Sequence, residues 1–497
     1  MSKNILIDRF GGNTVGALCD NGKLIEYHIE KSNKTQIVGS IYKGVVKNVL
    51  DGMQAAFVDI GLNKNGYLFV SDMLVDTSLI EGKTILPSQL NIKVGDQIMV
   101  QVVKDPVGVK GARLTNNITF AGKYLVYAPT LNINTVSRKI LDEKTRQKLI
   151  DYATKLKRPQ GGFICRTASE HAKYNDLVKE SKQLIKLYSD ILQKYDGICA
   201  CEQVFCDGDL PMRLMRDVLT YDVDKILVAD KAIYDNLNSY KTLNNDINKR
   251  LVFYDEKTDI FTKFNLTKEI ESLAHNKVAL DNGAYFVIDK TEALTIIDIN
   301  TGGFTGQTNI EETAFLTNML ATKEIARQVR LRNISGIIVV DYIDMEQEDH
   351  RNAVVNELKN CLSSDRQKCN VLGMTGLGLV EFTRSKKRRS LSQYFNKTCP
   401  YCKGEGSIYS NDYILMKIRT SLLDVFANDF GSAIIDLNID ILEYILQTGT
   451  LCKDIKKFYQ NKRVYLIPHK TYHQEFFICR GDNNKVLDLP EKAVLLH

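Results

Sequence analysis

Two short apolar segments each end in an aspartate, and these two residues could do chemistry together. Asp298 closes one segment and is followed closely by Asn300, and Asp341 closes the other. If the segments are neighbouring parallel strands, both carboxylates lie near the strand ends, where open α/β sheets bind their ligands. Adjacent carboxylates repel unless a proton or a cation lies between them, and Mg²⁺ suits oxygen ligands. The spacing alone also allows either aspartate to be a simple helix or turn cap.

Further residues near this pair could bind phosphate. The glycine-rich segment 301–306 matches neither the dinucleotide nor the Walker pattern, so a nucleotide-binding loop is a weak interpretation. Basic residues cluster at 384–389 and at Arg327, Arg330 and Arg332. They could hold phosphate groups beside a metal ion, or they could form an ordinary solvated helix face.

Aromatic residues among cations mark a second candidate surface. From 37 to about 115, short apolar runs separated by Gly or Asn-Gly predict a small barrel such as the OB fold. Phe57 and Tyr67 lie in these runs, with Lys110 nearby. Rings on such a barrel stack with unpaired bases while cations follow the nucleic-acid backbone. Phe57 could equally belong to the barrel core.

Among the 11 cysteines, Cys399 and Cys402 have good metal-ligand spacing. Structural zinc needs four ligands, and the sequence offers no second such pair. A site shared by two chains is the simplest completion, and two structural or redox cysteines are the alternative. Cys199, Cys201 and Cys206 lie far away along the chain.

The elements that position these residues follow from the hydrophobic pattern. Strands are predicted at 293–299 and 336–342 and helices at 310–332 and about 349–362, an order that favours a buried parallel sheet. The length of 497 residues predicts about three domains, and 44% apolar with 25% charged residues is a globular composition. We expect a cytoplasmic protein with no transmembrane segment and no signal peptide. The net charge of +6 only hints at a polyanionic partner.

Several longer motifs give a specific resemblance. They are Ile-Asp-Ile-Asn-Thr-Gly-Gly from residue 297, Asn-Ile-Glu-Glu-Thr-Ala-Phe from 309, Glu-Ile-Ala-Arg-Gln-Val-Arg-Leu-Arg-Asn from 324, Val-Val-Asp-Tyr-Ile-Asp-Met from 339, Cys-Pro-Tyr-Cys from 399, Gly-Met-Gln-Ala-Ala-Phe-Val-Asp-Ile-Gly from 52 and Lys-Gly-Ala-Arg-Leu-Thr from 110. Together they resemble the ribonuclease E/G family, essentially from end to end.

The resemblance implies an Mg²⁺-dependent endoribonuclease of single-stranded RNA that uses metal-activated water. It implies products with a 5′-monophosphate and a 3′-hydroxyl, stimulation by a 5′-monophosphate, and a role in rRNA and mRNA processing or decay.

Site residues carried over from the family pattern fall into four groups. Asp298 and Asp341 match the Mg²⁺ carboxylates, and Asn300 matches the residue that positions the scissile phosphate. The pocket for a 5′-phosphate is matched by Arg166, Thr167, Gly122 and Val126. RNA binding is matched by Phe57, Tyr67 and Lys110, to which we add Arg384 from the basic run. Cys399 and Cys402 match a zinc link between subunits of a homodimer or homotetramer. Tyr67 stands where the family pattern has Phe, and 168–173 also departs from it.

The implied fold is multidomain α/β (α+β). A ribonuclease-H-like subdomain is split between 1–36 and 211–273, and the OB-fold barrel (37–115) and a 5′-sensor (116–210) are inserted into it. A deoxyribonuclease-I-like catalytic subdomain (274–397), the zinc link (398–407) and a small C-terminal α/β domain (408–497) follow.

Two alternatives compete with the enzyme hypothesis. A non-catalytic RNA-binding assembly factor could use the same scaffold, but it would have no reason to retain Asp298, Asn300 and Asp341 together. A P-loop or dinucleotide enzyme fails on its missing fingerprint.

Overall fold

The computed structural model describes residues 3–31, 37–73, 92–106, 110–239, 245–302, 310–386, 390–449, 451, 453, 457, 461–484 and 488–496, with only the backbone at 245, 246 and 248. The chain divides into two compact units, Met1–Phe395 and Asn396–His497. Within the described residues, no helix has both the length and the apolar character needed to cross a membrane.

Strands and helices alternate along the chain. The strands are β1 (Lys3–Phe10), β2 (Asn13–Asp20), β3 (Lys23–Lys31), β4 (Ile41–Leu50), β5 (Ala55–Asp59), β6 (Gly66–Phe69), β7 (Gln97–Lys104), β8 (Arg113–Thr115), β9 (Phe120–Ala121), β10 (Leu125–Ala128), β11 (Thr135–Val136), β12 (Gly162–Cys165), β13 (Gln203–Phe205), β14 (Lys225–Val228), β15 (Leu251–Phe253), β16 (Lys277–Ala279), β17 (Tyr285–Lys290), β18 (Leu294–Asn300), β19 (Gly336–Asp341), β20 (Cys369–Met374), β21 (Leu379–Arg384), β22 (Ser432–Asn438), β23 (Arg463–His469), β24 (Phe477–Asp482) and β25 (Val494–Leu495). The helices are α1 (Glu143–Lys155), α2 (Tyr174–Gly197), α3 (Leu210–Asp217), α4 (Lys231–Ser239), α5 (Asn245–Arg250), α6 (Ile260–Lys263), α7 (Thr267–Ser272), α8 (Ile310–Leu331), α9 (Glu348–Ser363), α10 (Ser392–Phe395), α11 (Asn411–Ala427) and α12 (Ile439–Thr448). The predicted succession of strand, helix, strand and helix is confirmed by β18, α8, β19 and α9.

A five-stranded barrel is confirmed in the first third of the chain. Its strands follow the order β4-β5-β6-β8-β7, and β7 pairs with β4 to close the ring. Val46, Val58, Leu68, Val100 and Leu114 fill its interior and are fully buried. Because side chains alternate along a strand, the residues between them face outward. The barrel is therefore OB-like, as predicted.

Two other sheets lie beside the barrel in the same unit. One has the order β15-β14-β1-β2-β3, so it combines strands from the predicted segments 1–36 and 211–273. The second, β11-β12-β10-β9, shares a core with α1 and α2 and lies within the predicted 5′-sensor. The domain boundaries given above stay predictions.

The sheet that carries Asp298 and Asp341, here called the acidic sheet, differs from the predicted one. Its order is β16-β17-β18-β19-β21-β20, and β18 and β19 are its one parallel pair. Helices α8 and α9 share a core with one face of it. On the other face Ile296 and Ile337 are 39% and 50% exposed. The prediction of a buried parallel sheet was therefore wrong, because β18 alternates buried and exposed residues and its other neighbour is antiparallel.

The C-terminal unit is a smaller α/β structure. Its sheet has the order β24-β22-β23-β25, with β22 parallel to β23 and antiparallel to β24. Apolar residues of α11 and α12 form one core with the sheet, represented by Ile418, Ile435, Ile445 and Leu466. The predicted α/β character of this unit is confirmed.

Arg384 has a place in the fold that the sequence analysis did not anticipate. We predicted that it binds RNA, but its side chain is 3% exposed and pairs with Asp365, which is 2% exposed, at 2.8 Å. Its remaining donors reach Asn333 Oδ1 at 3.1 Å and the Ile334 carbonyl at 2.8 Å. The guanidinium thus connects the end of β21 to the segments that follow α8 and α9, and it is not accessible to RNA in this structure.

Removal of this guanidinium should destabilise the larger unit. Arg384→Ala leaves the Asp365 carboxylate buried without its partner, which typically costs about 3–5 kcal/mol. Urea unfolding of the full chain measures the change in the free energy of unfolding. Lys386→Ala, an exposed neighbour, is the matched control and should stay within about 0.5 kcal/mol of wild type. A loss below about 1 kcal/mol for Arg384→Ala would contradict the structural role.

Candidate active site

Asp298 and Asp341 lie side by side on neighbouring strands of the acidic sheet. Asp298 is directly opposite Asp341 in the parallel register of β18 and β19. Ile297 and Ile299, on either side of Asp298, are buried in the core shared with α8. Because side chains alternate along a strand, both aspartates project from the face opposite α8 and α9, where they are exposed. Adjacent strands are about 4.8 Å apart, so two negative charges stand next to each other.

Asn300 and the local charges complete this arrangement. The Asn300 amide donates a hydrogen bond of 2.9 Å from Nδ2 to Asp298 Oδ2. Partial burial raises the pKa of Asp341, and the charges of Asp298 and Asp344 raise it further. Negative charge is therefore poorly compensated at this point. Two carboxylates and an amide suit a hard divalent cation that takes its other ligands from water and phosphate oxygens.

Asp344 is a third carboxylate that the sequence analysis missed. It follows Asp341 by three residues and lies near enough to raise the pKa of Asp341. The repeated aspartate in Asp-Tyr-Ile-Asp was its only signal. Across the part of the chain that the structure describes, no group of three or more His, Cys, Asp or Glu side chains could hold a metal ion. Asp344 therefore adds charge to the site without forming a three-carboxylate cluster.

Glu311 fixes the segment that follows Asp341. Its carboxylate accepts hydrogen bonds from the backbone N–H of Glu346 at 2.8 Å and of Gln347 at 3.2 Å, and it pairs with His350 Nδ1 at 2.8 Å. The hydrogen bond from Glu346 is the main cause of the lowered pKa of Glu311. Since Glu311 lies in the first turn of α8, it ties this turn to the residues that begin α9. The sequence offered no signal for this role.

The predicted RNA-binding aromatics share one outer face of the barrel. Phe57 and Tyr67 are directly opposite in the antiparallel pair β5–β6, and both are half-buried. Phe69 follows on the same face, with its ring 5.2 Å from that of Tyr67. Lys110 is exposed just before Gly111, where a side chain would collide with the Asn65 carbonyl oxygen at 1.9 Å. This close approach holds Lys110 beside the start of β6.

The four residues of the predicted 5′-phosphate pocket converge at one end of their sheet. Gly122 follows β9, and Val126 on β10 pairs with Ile164. The Arg166 guanidinium donates to the Gly122 carbonyl and to Asp217 Oδ1 at 2.8 Å. Thr167 lies 3.1 Å from Ser137, hydroxyl to hydroxyl. The Arg166 guanidinium is therefore paired with the Asp217 carboxylate, and a bound phosphate would have to share it.

Two acidic residues that the sequence analysis missed organise this pocket. Glu180 accepts backbone hydrogen bonds from Lys123, Tyr124 and Leu125 at 2.6–2.8 Å, and burial raises its pKa. A Cβ at Gly122 would lie 2.5 Å from the Glu180 carboxyl carbon, so a larger residue there would displace this carboxylate from its backbone hydrogen bonds. Burial alone would raise the pKa of Asp217, but the charges of Arg216 and Arg166 outweigh it and hold that pKa far below its usual value.

Cys399 and Cys402 are adjacent in a tight turn of the C-terminal unit. Lys403, Gly404 and Gly406 all have positive φ. Backbone hydrogen bonds from Gly406 and Gly404, and a contact with Cys399, lower the pKa of Cys402. A thiol that ionises readily is suited to metal binding. Cys201 differs, because burial and Asp59 raise its pKa.

Among the other predicted phosphate-binding cations, Arg327 and Arg332 are engaged within the fold, whereas Lys386 is exposed. Arg327 pairs with Glu324 at 2.6 Å and with Glu269, and the buried Arg332 donates to the backbone carbonyls of 272, 273 and 275. Arg327 and Arg332 therefore do not form the solvated helix face that was the alternative interpretation of this cluster. Residues 303–309, with most of the glycine-rich segment, and 387–389 lie outside the described residues.

Comparison with known proteins identifies one family along most of the chain. The Ribonuclease E/G family profile matches residues 119–387, more than half of the chain. Ribonuclease G of Escherichia coli is 38% identical over 431 residues, which are 86% of this chain and 88% of that protein. Ribonuclease G of Haemophilus influenzae is 36% identical over 471 residues, 93% and 96% of the two chains. Ribonuclease E of a Nostoc species is 35% identical over 378 residues, 74% and 54%.

These matches define the class of the protein. An OB-like barrel and an acidic sheet occur here in a chain that resembles ribonucleases along most of its length. The chain belongs to the ribonuclease E/G family.

Proposed function

We propose that the protein is an Mg²⁺-dependent endoribonuclease that cleaves single-stranded RNA in rRNA and mRNA processing or decay. Its ribonuclease G and E relatives support an RNA-cleaving hydrolase. The single observation that carries the metal dependence is the register of Asp298 and Asp341, with Asn300 bonded to Asp298. The products are a 5′-monophosphate and a 3′-hydroxyl.

The two aspartates would hold the cation, since they present adjacent oxygen ligands on an open face. Held there, a divalent cation would supply polarisation of water and of the scissile phosphate, the chemistry that hydrolysis at neutral pH needs. The Asn300 amide holds one oxygen of Asp298 in place through its hydrogen bond. In our proposal the same side chain also positions the scissile phosphate. Glu311 holds the far end of the segment that leads from Asp341 to α9.

RNA is held, in this proposal, by the outer face of the barrel. Phe57 and Tyr67 offer adjacent half-buried rings, on which unpaired bases stack, and Lys110 offers an exposed cation to the backbone. Double-stranded RNA has no free base faces, so the surface favours single strands.

The acidic pair should be essential for cleavage and dispensable for binding. Asp298→Asn or Asp341→Asn removes a ligand charge without removing bulk, and we expect cleavage of a short single-stranded RNA to fall at least about a hundredfold. Binding measured in EDTA should persist through the barrel. Asp289→Asn, an exposed aspartate on neighbouring β17, is the matched control and should stay active.

Mapping of the product ends completes this test. EDTA should stop the wild-type reaction, and products should carry a 5′-monophosphate. Near-normal turnover of either variant, or 2′,3′-cyclic phosphate ends, would exclude the proposed chemistry. Binding without any metal-dependent cleavage by the wild type would favour the RNA-binding assembly factor.

A 5′-monophosphate should stimulate cleavage through Arg166 and Thr167. Gly122 and Val126 would contribute backbone contacts, and the planar guanidinium suits a phosphate dianion. A charge-assisted contact is worth roughly 1.5–3 kcal/mol. Because Asp217 already shares the guanidinium, we expect a preference of about tenfold over a 5′-hydroxyl or 5′-triphosphate, at about 1.4 kcal/mol per tenfold.

Arg166→Ala should erase this preference in single-turnover cleavage of RNAs that differ only at the 5′ end. Lys155→Ala removes another exposed cation of the same segment and should leave the preference intact. An Arg166→Ala protein that still discriminates between 5′ ends would show that the pocket lies elsewhere.

Zinc should link two chains through Cys399 and Cys402. One chain supplies two thiolates, so two chains together complete a tetrahedral site in a homodimer, or in each half of a homotetramer. We expect one zinc per two chains by elemental analysis. Cys402→Ser should release zinc and reduce the oligomeric mass, whereas Cys199→Ser, at an exposed cysteine of the larger unit, should change neither. One tightly bound zinc per chain would contradict the shared site.

A further inference from the structure

One lysine lies in the same row of the acidic sheet as the two aspartates. Lys277 on β16 is opposite Val287 on β17, Val287 is opposite Asp298, and Asp298 is opposite Asp341. Directly opposed residues of adjacent strands project from the same face of a sheet. Lys277 is exposed, so this row carries a cation on the open face, two strands from the nearer aspartate, or roughly 10 Å between backbones.

The Tyr285 ring holds the lysine ammonium on the side of its row where Asn300 lies. Lys277 Nζ lies 3.6 Å from the centroid of the Tyr285 ring, a cation–π contact. Tyr285 is directly opposite Asn300. The ammonium group of Lys277 is therefore displaced from the row of Asp298 toward the row of Asn300. In the proposed function, the scissile phosphate lies at this end of β18.

The contact with Tyr285 leaves the ammonium group of Lys277 without a carboxylate partner in the described part of the chain. Among the residues that the structure describes, no carboxylate forms an ion pair with Lys277, in contrast to Arg327 and Arg384, which are held by Glu324 and Asp365. An exposed lysine needs no ion pair broken before it binds a phosphate. The contact with the Tyr285 ring also limits its side-chain conformations in advance, which reduces the conformational entropy lost on binding.

We propose that Lys277, supported by Tyr285, binds the phosphate of a nucleotide next to the scissile one and so positions the RNA strand across the acidic pair. The inference rests on the proposed function, since it takes Asp298 and Asp341 as the place of cleavage. Lys277 is a substrate-positioning residue in this account, because its charge acts on a phosphate that does not react.

The test compares binding and cleavage of a short single-stranded RNA by the full-length protein. Lys277→Gln should raise KM on the order of five- to tenfold with kcat changed less than about twofold, since a contact made equally in ground and transition states changes KM alone. The slope of log Kd against log salt, measured in EDTA, should become less steep by about 0.7 for one lost phosphate contact. Lys277→Arg should restore both values, and Lys290→Gln, an exposed lysine of the same sheet, should change neither.

A chemically altered substrate identifies the contact itself. Replacing one phosphate beside the scissile one by a neutral methylphosphonate should weaken binding by wild type and have no further effect in Lys277→Gln. Unchanged KM and salt slope in Lys277→Gln, or equal loss in Lys277→Arg, would overturn the inference. Those results would leave the proposed function standing if Asp298→Asn is inactive, whereas an active Asp298→Asn would overturn the proposed function itself.

Discussion

The placement of Asp298 opposite Asp341, with the repulsion between them, is the constraint on which the proposed site depends. The β18–β19 ladder places the two carboxylates opposite each other, and the raised pKa of Asp341 records the effect of its burial and of that neighbour. The ladder tolerates the repulsion because Ile297, Ile299 and Val340 are buried on the opposite face, and each such side chain contributes about 1.5–3 kcal/mol. In our proposal, a divalent cation bound beside the two carboxylates would relieve this repulsion.

Among the described residues, helices α8 and α9 cover one face of the acidic sheet, and Asp298 and Asp341 are exposed on the other. A sheet with helices on both faces would have enclosed the pair. Antiparallel neighbours, β17 beside β18 and β21 beside β19, allow one face to remain open. A strand of RNA that crosses this face would meet the aspartates, Asn300 and, in our proposal, Lys277 without any movement of the sheet.

Local patterns predicted the elements, and pairing over long distances decided what could not be predicted. The barrel and the succession β18, α8, β19 and α9 follow from apolar periodicity, and the parallel pairing of β18 with β19 is what a strand–helix–strand unit requires. The antiparallel partners were missed because no pattern within one strand specifies its neighbour. Buried and exposed residues alternate along Leu-Thr-Ile-Ile-Asp-Ile-Asn, which is typical of a strand with one open face. The sequence analysis instead predicted a sheet buried on both faces.

Charged side chains were the hardest to assign from sequence. Arg384 belongs to a basic run, yet the fold buries it against Asp365. Glu180 accepts hydrogen bonds from amides more than fifty residues earlier in the chain, and nothing in its own neighbourhood indicates this. The role of such a group depends on which partners the fold brings to it.

Binding of Mn²⁺, followed by electron paramagnetic resonance without RNA, tests the central claim most directly. The account predicts that wild type and Asp289→Asn bind one cation per chain that Asp298→Asn and Asp341→Asn both lose. Unchanged stoichiometry and affinity in these two variants would contradict it.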